Sequence, residues 1–284
     1  MDIKILSYRE LLEFGSDKLR RSGIEEAETD AWYLLENVSG LSRAEYFLHS
    51  EDKIDKDKTE EFFMLIERRS RRIPLSYVIG SREFMGFTFK VNENVLIPEQ
   101  ETEILVEEVL KHCKEKSVLD LCTGSGCIAI AIRLLGGVAE VSATDISEKA
   151  LDIAKENAKI LGASDIKFFQ GNLFENINEK FDIIVSNPPY IETHIIEELE
   201  PEVRDYIPRL ALDGDEDGLK FYKNISKKAP KYLNKNARIF YEIGYNQSKA
   251  VSDILIENGF IDVKILKDYS GFDRIVMGKF VGIE

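Results

Sequence analysis

The residues best suited to chemistry are Asn187-Pro188-Pro189-Tyr190, which close the apolar run Phe181-Asp182-Ile183-Ile184-Val185-Ser186. That run is rich in β-branched residues and reads as a buried parallel strand. Each proline fixes its own φ and pushes the preceding residue out of the helical region, so the strand passes into a rigid, extended loop. Asn187 then stands just past the carboxyl end of a strand, where open α/β sheets bind ligands. An Asn side-chain oxygen beside the Pro188 carbonyl makes two acceptors spaced to take both hydrogens of a planar amide or amino group. Tyr190 adds an aromatic wall. Asn-Pro is also an ordinary turn signal, so these residues alone leave open a strand end closed by a turn.

A second constellation lies upstream. Ser117-Val118-Leu119-Asp120-Leu121 reads as a strand, Cys122-Thr123-Gly124-Ser125-Gly126 as a small-residue loop, and Cys127 to Leu135 as an apolar helix stopped by Gly136-Gly137. Such a loop lets a ligand approach the backbone and meet the unpaired N–H groups of a helix start. Asp145 ends the next strand, where an acid binds ribose hydroxyls. Gly171-Asn172-Leu173-Phe174 follows a third strand, with Asn172 as a hydrogen-bond partner for an adenine and Leu173 or Phe174 as apolar cover. The string Gly124-x-Gly126-x-x-Ala129 satisfies the dinucleotide fingerprint, which does not choose between NAD and S-adenosylmethionine. The amino-group grip at Asn187 does choose, since nothing in it suits hydride transfer.

Composition removes other classes. Fifty-two acidic against 38 basic residues give a formal charge of −14, opposing broad electrostatic binding to nucleic acid. Cys113, Cys122 and Cys127 have no C-x-x-C spacing and His49, His112 and His194 are scattered, so reduced thiols and no metal are expected. Asp213-Gly214-Asp215-Glu216-Asp217-Gly218 begins like a calcium loop, but the position needing a bidentate acid is Asn224, and the acids read instead as a helix N-terminal turn. No apolar run reaches membrane-spanning length, and Met1-Asp2-Ile3-Lys4 lacks a leader pattern, so a cytoplasmic protein is expected. No residue speaks to oligomeric state, and a monomer is the default.

The elements that position these residues fall into three segments. Residues 1–78 read as a small bundle: Tyr8 to Ser22 ending at Gly23, Glu25 to Val38, a short helix opened by the capping-box spacing of Ser42-Arg43-Ala44-Glu45, and Asp57 to Arg72. It holds no catalytic constellation and is expected to recognise the substrate. Arg68-Arg69-Ser70-Arg71-Arg72 reads either as a site for an anionic partner or as cations favouring a helix C-terminus. Residues 79–100 read as a β-hairpin linker, with Phe87, Phe89 and Val91 alternating, a turn at Asn92-Glu93-Asn94, and Val95-Leu96-Ile97 returning. Residues 101–284 alternate helix and strand, with helices at 101–114, 148–161, 219–233 and 248–258. A closing hairpin pairs Val263 to Leu266 with Arg274 to Phe280 across Tyr269-Ser270-Gly271.

The chain as a whole resembles the class I S-adenosylmethionine-dependent methyltransferases, and within them the HemK/PrmC family of release factor glutamine methyltransferases. Besides the two loops, the resemblance rests on Arg72 to Tyr77, Arg82-Glu83-Phe84, Leu96-Ile97-Pro98, Glu101-Thr102-Glu103 and Leu210-Ala211-Leu212-Asp213-Gly214. It implies a Rossmann-like α/β fold, a seven-stranded sheet with an antiparallel last strand, preceded by the bundle and hairpin. It implies N5-methylation of the glutamine in the Gly-Gly-Gln motif of peptide chain release factors. By that resemblance the cofactor residues are Cys122, Thr123, Gly124, Ser125, Gly126, Asp145, Leu173 and Asn187, to which the residue reading adds Asn172. The substrate grip falls on Asn187, Pro188, Pro189 and Tyr190, with Asn187, Pro188 and Tyr190 carrying catalysis.

This chain departs from the family pattern at Glu99 (commonly Arg), Gln100 (Pro), Cys122 (Gly), Asn172 (Asp) and Ile207 (Glu). Glu99 is a charge reversal expected near the cofactor entrance. Three other readings use the same residues: a nucleic-acid amino methyltransferase working on a flipped base, a non-catalytic cofactor-binding module, and an NAD oxidoreductase. The acidic stretch Glu192 to Glu202 opposes the first, and the intact Asn-Pro-Pro-Tyr opposes the second.

Overall fold

Local signals set the helices of the first unit. Ser7 and Ser42 each accept the N–H three residues on while Glu10 and Glu45 reach back, so two capping boxes start α1 (Tyr8–Arg21) and α3 (Arg43–His49). Gly40 takes φ +75° and ends α2 (Ala27–Ser39). With α4 (Lys56–Ser70) and α5 (Leu75–Ile79), these bury Leu11, Leu19, Leu34, Leu35, Phe62 and Ile66 completely or nearly so. Each such side chain contributes about 1.5–3 kcal/mol. A computed structural model of the chain describes residues 6–282, so the reading of Met1-Asp2-Ile3-Lys4 lies outside the described residues. The chain divides into two units, one up to Gly80 together with Glu200–Tyr206, the other Ser81–Leu199 together with the residues from Ile207 on.

The short helix α9 (Pro201–Arg204) belongs to the first unit, and the arginine run explains why. Arg69 Nε donates to Asp30 Oδ2 at 2.6 Å and its Nη1 to Glu202 at 2.9 Å. Arg72 pairs with Glu200 and Glu202. Arg68 donates to the Tyr77 and Val78 carbonyls, and Arg71 to Glu67. Two arginines of this run, Arg69 and Arg72, meet the chain's own acidic segment.

The second unit opens with a two-stranded hairpin, β1 (Ser81–Phe84) and β2 (Phe87–Lys90). Its turn is Met85-Gly86, both at positive φ as a two-residue mirror-image turn requires, and not Asn92 to Asn94. Asn92 instead closes a side-chain turn by accepting the Asn94 N–H, and residues 95–97 lie in a loop outside any strand.

After α6 (Gln100–Leu110) come β3 (Ser117–Leu121), α7 (Cys127–Leu135), β4 (Glu140–Asp145), α8 (Glu148–Leu161), β5 (Lys167–Gln170) and β6 (Phe181–Ser186). The chain ends with α10 (Lys220–Lys228), β7 (Leu233–Glu242), α11 (Ser248–Glu257), β8 (Phe260–Lys267) and β9 (Asp273–Phe280). Seven strands form one sheet in the order β5-β4-β3-β6-β7-β9-β8, parallel from β5 to β7, with β9 antiparallel to both neighbours. Alternate residues face opposite sides. Val118, Ile183, Val185 and Phe240 join the core with α6 and α7, while Leu119, Ile184, Ile239 and Tyr241 join the core with α10 and α11.

The helix expected over 219–233 stops at Lys228. Pro230 has no N–H for an α-helical bond and disfavours helical backbone at the residue before it, so Ala229–Lys231 tightens into a 3-10 turn and β7 begins at Leu233.

Candidate active site

The sheet order leaves β3 and β6 adjacent at the centre, with their carboxyl ends carrying the two loops singled out by sequence. Between β3 and α7 the backbone turns through Cys122 (φ +61°), Gly124 (+54°) and Gly126 (+82°). The Gly126 position favours glycine by conformation and is tight, since a Cβ there would meet Ala154 Cβ at 3.0 Å. Thr123 donates its hydroxyl to Asp120 Oδ2 at 2.6 Å, and the Ser125 carbonyl accepts from Asn157 Nδ2 at 2.9 Å. Asp120 is wholly buried, and burial pushes its carboxyl up to about 7.

A cavity of about 290 Å³ opens at this edge, walled by Cys122, Gly124, Asp145, Asn172, Leu173, Asn187 and Pro189. Thr123, Ser125, Gly126, Pro188 and Tyr190 do not line it; the first three shape the loop from within. The sequence reading missed Lys220, Phe221 and Asn224 from α10, which complete the wall. Their helical spacing reads as an ordinary amphipathic face, and only the fold turns one edge of it to the cavity. Pro208, Leu210 and Ala211 also line it, the last two from a segment quoted for the resemblance.

Asp145 is held in place by backbone donors: Gly124 N–H to Oδ2 and Ser147 N–H to Oδ1, both at 2.9 Å. Burial raises its carboxyl above the usual range, against those two bonds. Leu173, at φ +59°, is buried. Asn172 is exposed, its N–H given to Glu175.

On the other side of the cavity, Asn187 Nδ2 donates to Thr102 Oγ1 at 3.2 Å, and Thr102 donates its hydroxyl to Glu242 Oε2 at 2.7 Å. Among the described residues nothing donates to Asn187 Oδ1. Glu242 ends β7 fully buried; burial pushes its carboxyl up to about 8, Glu99 adds to the rise, and the Thr102 bond and Arg274 oppose it. Tyr190 turns its hydroxyl toward Glu242 Oε1 at 3.5 Å, and its ring packs on the core with α10 and α11. Its carbonyl accepts from Gln247 Nε2 at 2.9 Å. Gly218 lies so close behind it that a Cβ there meets the Tyr190 carbonyl oxygen at 2.4 Å.

Glu99 is not among the residues that line the cavity. It keeps solvent contact, yet surrounding protein and then Glu101 push its carboxyl up, and its charge weighs on Tyr190 and Glu242. The acids at 213–217 have protein partners: Asp213 accepts from Thr193 in the segment after β6, while Asp215 pairs with Lys220 and Asp217 with Lys223, both in α10.

The sequence matches the family described as the PrmC N-terminal domain over residues 10–80 and that described as the methyltransferase small domain over 98–201. It is 38% identical to the release factor glutamine methyltransferase of Geobacter sulfurreducens, over 97% of this chain and 98% of that one. It is 43% identical to the protein of that name in Thermodesulfovibrio yellowstonii, over 79% and 83%. Among solved structures it superposes on a methyltransferase from Pyrococcus furiosus at a TM-score of 0.53 and 19% identity, over 69% of this chain and 89% of that one.

Proposed function

Because the chain belongs to the release factor glutamine methyltransferase family, we propose that it methylates the side-chain amide nitrogen of the glutamine in the Gly-Gly-Gln motif of peptide chain release factors. The methyl donor is S-adenosylmethionine, which supplies an electrophilic methyl group on a sulfonium. The cavity residues fit it. Each Asp145 oxygen takes one backbone N–H and keeps a lone pair, the pair of acceptors two ribose hydroxyls need. Ile146, Leu173 and Phe221 would cover an adenine.

An amide nitrogen is a poor nucleophile because its lone pair is delocalised into the carbonyl. In this reading Asn187 Oδ1 and the Pro188 carbonyl accept both hydrogens of the glutamine NH2. They orient the nitrogen and stabilise positive charge as it develops there. No strong base is needed when the proton leaves after that charge has formed. The observation that carries the reading is the Asn187 side chain, whose nitrogen is occupied by Thr102 and whose oxygen is left without a donor.

The helical unit would recognise the protein substrate, and the chain would work as a cytoplasmic monomer without nucleic acid. Its net charge of −14 supports the last point, and among the described residues no helix is long and apolar enough to cross a membrane. Incubation with labelled S-adenosylmethionine, a purified release factor and total RNA tests the substrate class. Label is expected in the protein, and label in RNA alone would overturn the reading.

A further inference from the structure

Asn187 can offer an acceptor only if its amide is turned the right way, and Asn187 itself does not determine that. The two ends of an Asn amide have almost the same shape but opposite hydrogen-bonding character. With the amide reversed, an N–H would face the incoming NH2, donor against donor.

Thr102 and Glu242 supply the missing constraint. The Thr102 hydroxyl has one hydrogen, and it lies on Glu242 Oε2 at 2.7 Å. Thr102 Oγ1 can then only accept from Asn187, 3.2 Å away, so the end of the amide facing it must be the NH2. Thr102 is 3% exposed and Glu242 fully buried, so water does not compete for these bonds. A proton on Glu242 does not disturb the order while it sits on Oε1, beside Tyr190, because Oε2 remains an acceptor.

We infer that Thr102 and Glu242 are positioning residues for methyl transfer: through the Thr102 hydroxyl, Glu242 fixes the Asn187 amide with its oxygen free for the substrate. The inference rests on the proposed glutamine reading. Thr102 is anchored by the first turn of α6 and Glu242 by the end of β7, so two elements outside the Asn-Pro-Pro-Tyr loop set its polarity. Thr102 touches neither ligand in this account, and neither does Glu242.

The test compares Thr102→Val, which keeps the shape and removes the hydroxyl, with Thr102→Ser, which keeps the hydroxyl and removes the methyl. It adds Glu242→Gln, whose amide reproduces an acceptor toward Thr102 and a donor toward Tyr190. Cofactor Kd, KM for a release factor and kcat are measured for each. T102V is expected to lose about tenfold in kcat, the worth of one such hydrogen bond, with cofactor Kd unchanged. T102S and E242Q are expected to stay within about threefold of the parent, well under the cost of a lost bond. T102V with parental kcat overturns the inference, as does T102S falling as low as T102V, since space rather than the hydroxyl would then matter. A parent chain that leaves the release factor unmethylated overturns the proposed function itself, and this inference with it.

Discussion

The Gly124 N–H donates to Asp145 Oδ2 across 2.9 Å, fastening the turn after β3 to the end of β4. The same carboxylate takes the Ser147 N–H on its other oxygen, so Asp145 both shapes the loop and faces the cavity.

Replacing Asp145 by Ala removes the ribose acceptors and leaves two backbone donors without their partner. Hydrogen bonds to charged groups contribute about 1.5–3 kcal/mol, so cofactor Kd is expected to rise about 10- to 100-fold. Isothermal titration with S-adenosylmethionine reads this directly. Parental affinity in D145A would remove Asp145 from the cofactor site.

Glu242 predicts a pH dependence of stability. Its carboxyl is pushed from an ordinary 4.5 to about 8 in the folded chain. Between those values the folded state holds a proton the unfolded state has lost, so stability falls as pH rises through the window. The slope from this one group approaches about 1.4 kcal/mol per pH unit. Glu99, Glu101, Arg274, Tyr190 and Tyr222 carry the charges and hydroxyls around it. Denaturation midpoints of Glu242→Gln should fall less steeply between pH 5 and 8 than those of the parent. Equal slopes would show that Glu242 does not titrate in this range.

Arg69 is 7% exposed and bonded to both Asp30 and Glu202. Arg69→Met leaves the buried Asp30 without its cation and Glu202 with Arg72 alone, a loss of about 3–5 kcal/mol for a buried pair. Trp32, the single tryptophan, is buried in the same unit and reports its unfolding. The fluorescence midpoint in urea should drop markedly while cofactor affinity stays at the parental value. An unmoved midpoint would mean that the acidic segment Glu200–Tyr206 does not depend on Arg69.

Much of this was legible in the sequence because it is local. The β3 loop, the Asp145 strand end and the two prolines after Asn187 are each short-range signals, and α1 and α3 carry their own capping boxes. The hairpin turn was misplaced because Asn92-Glu93-Asn94 looks like a stronger turn than Met85-Gly86, and only strand pairing decides between them. The role of the arginine run depended on an acidic segment about 130 residues away in the chain, beyond any pattern.

Glu242 did leave a trace, an acid closing the apolar strand Ile239-Phe240-Tyr241. Its partner Thr102 lies 140 residues off, and nothing before folding joins the two. Cys122 at φ +61° shows the converse, a position where glycine costs least and this chain carries a side chain instead.

The most direct test of the central claim is peptide mass spectrometry of a release factor after incubation with S-adenosylmethionine and either the parent chain or Asn187→Ala. The account predicts one methyl on the glutamine of Gly-Gly-Gln with the parent. With N187A it predicts a rate lower by about 100-fold or more, cofactor affinity being largely kept. Methylation at the parental rate in N187A would contradict the role given to Asn187, and an unmodified glutamine with the parent would contradict the function.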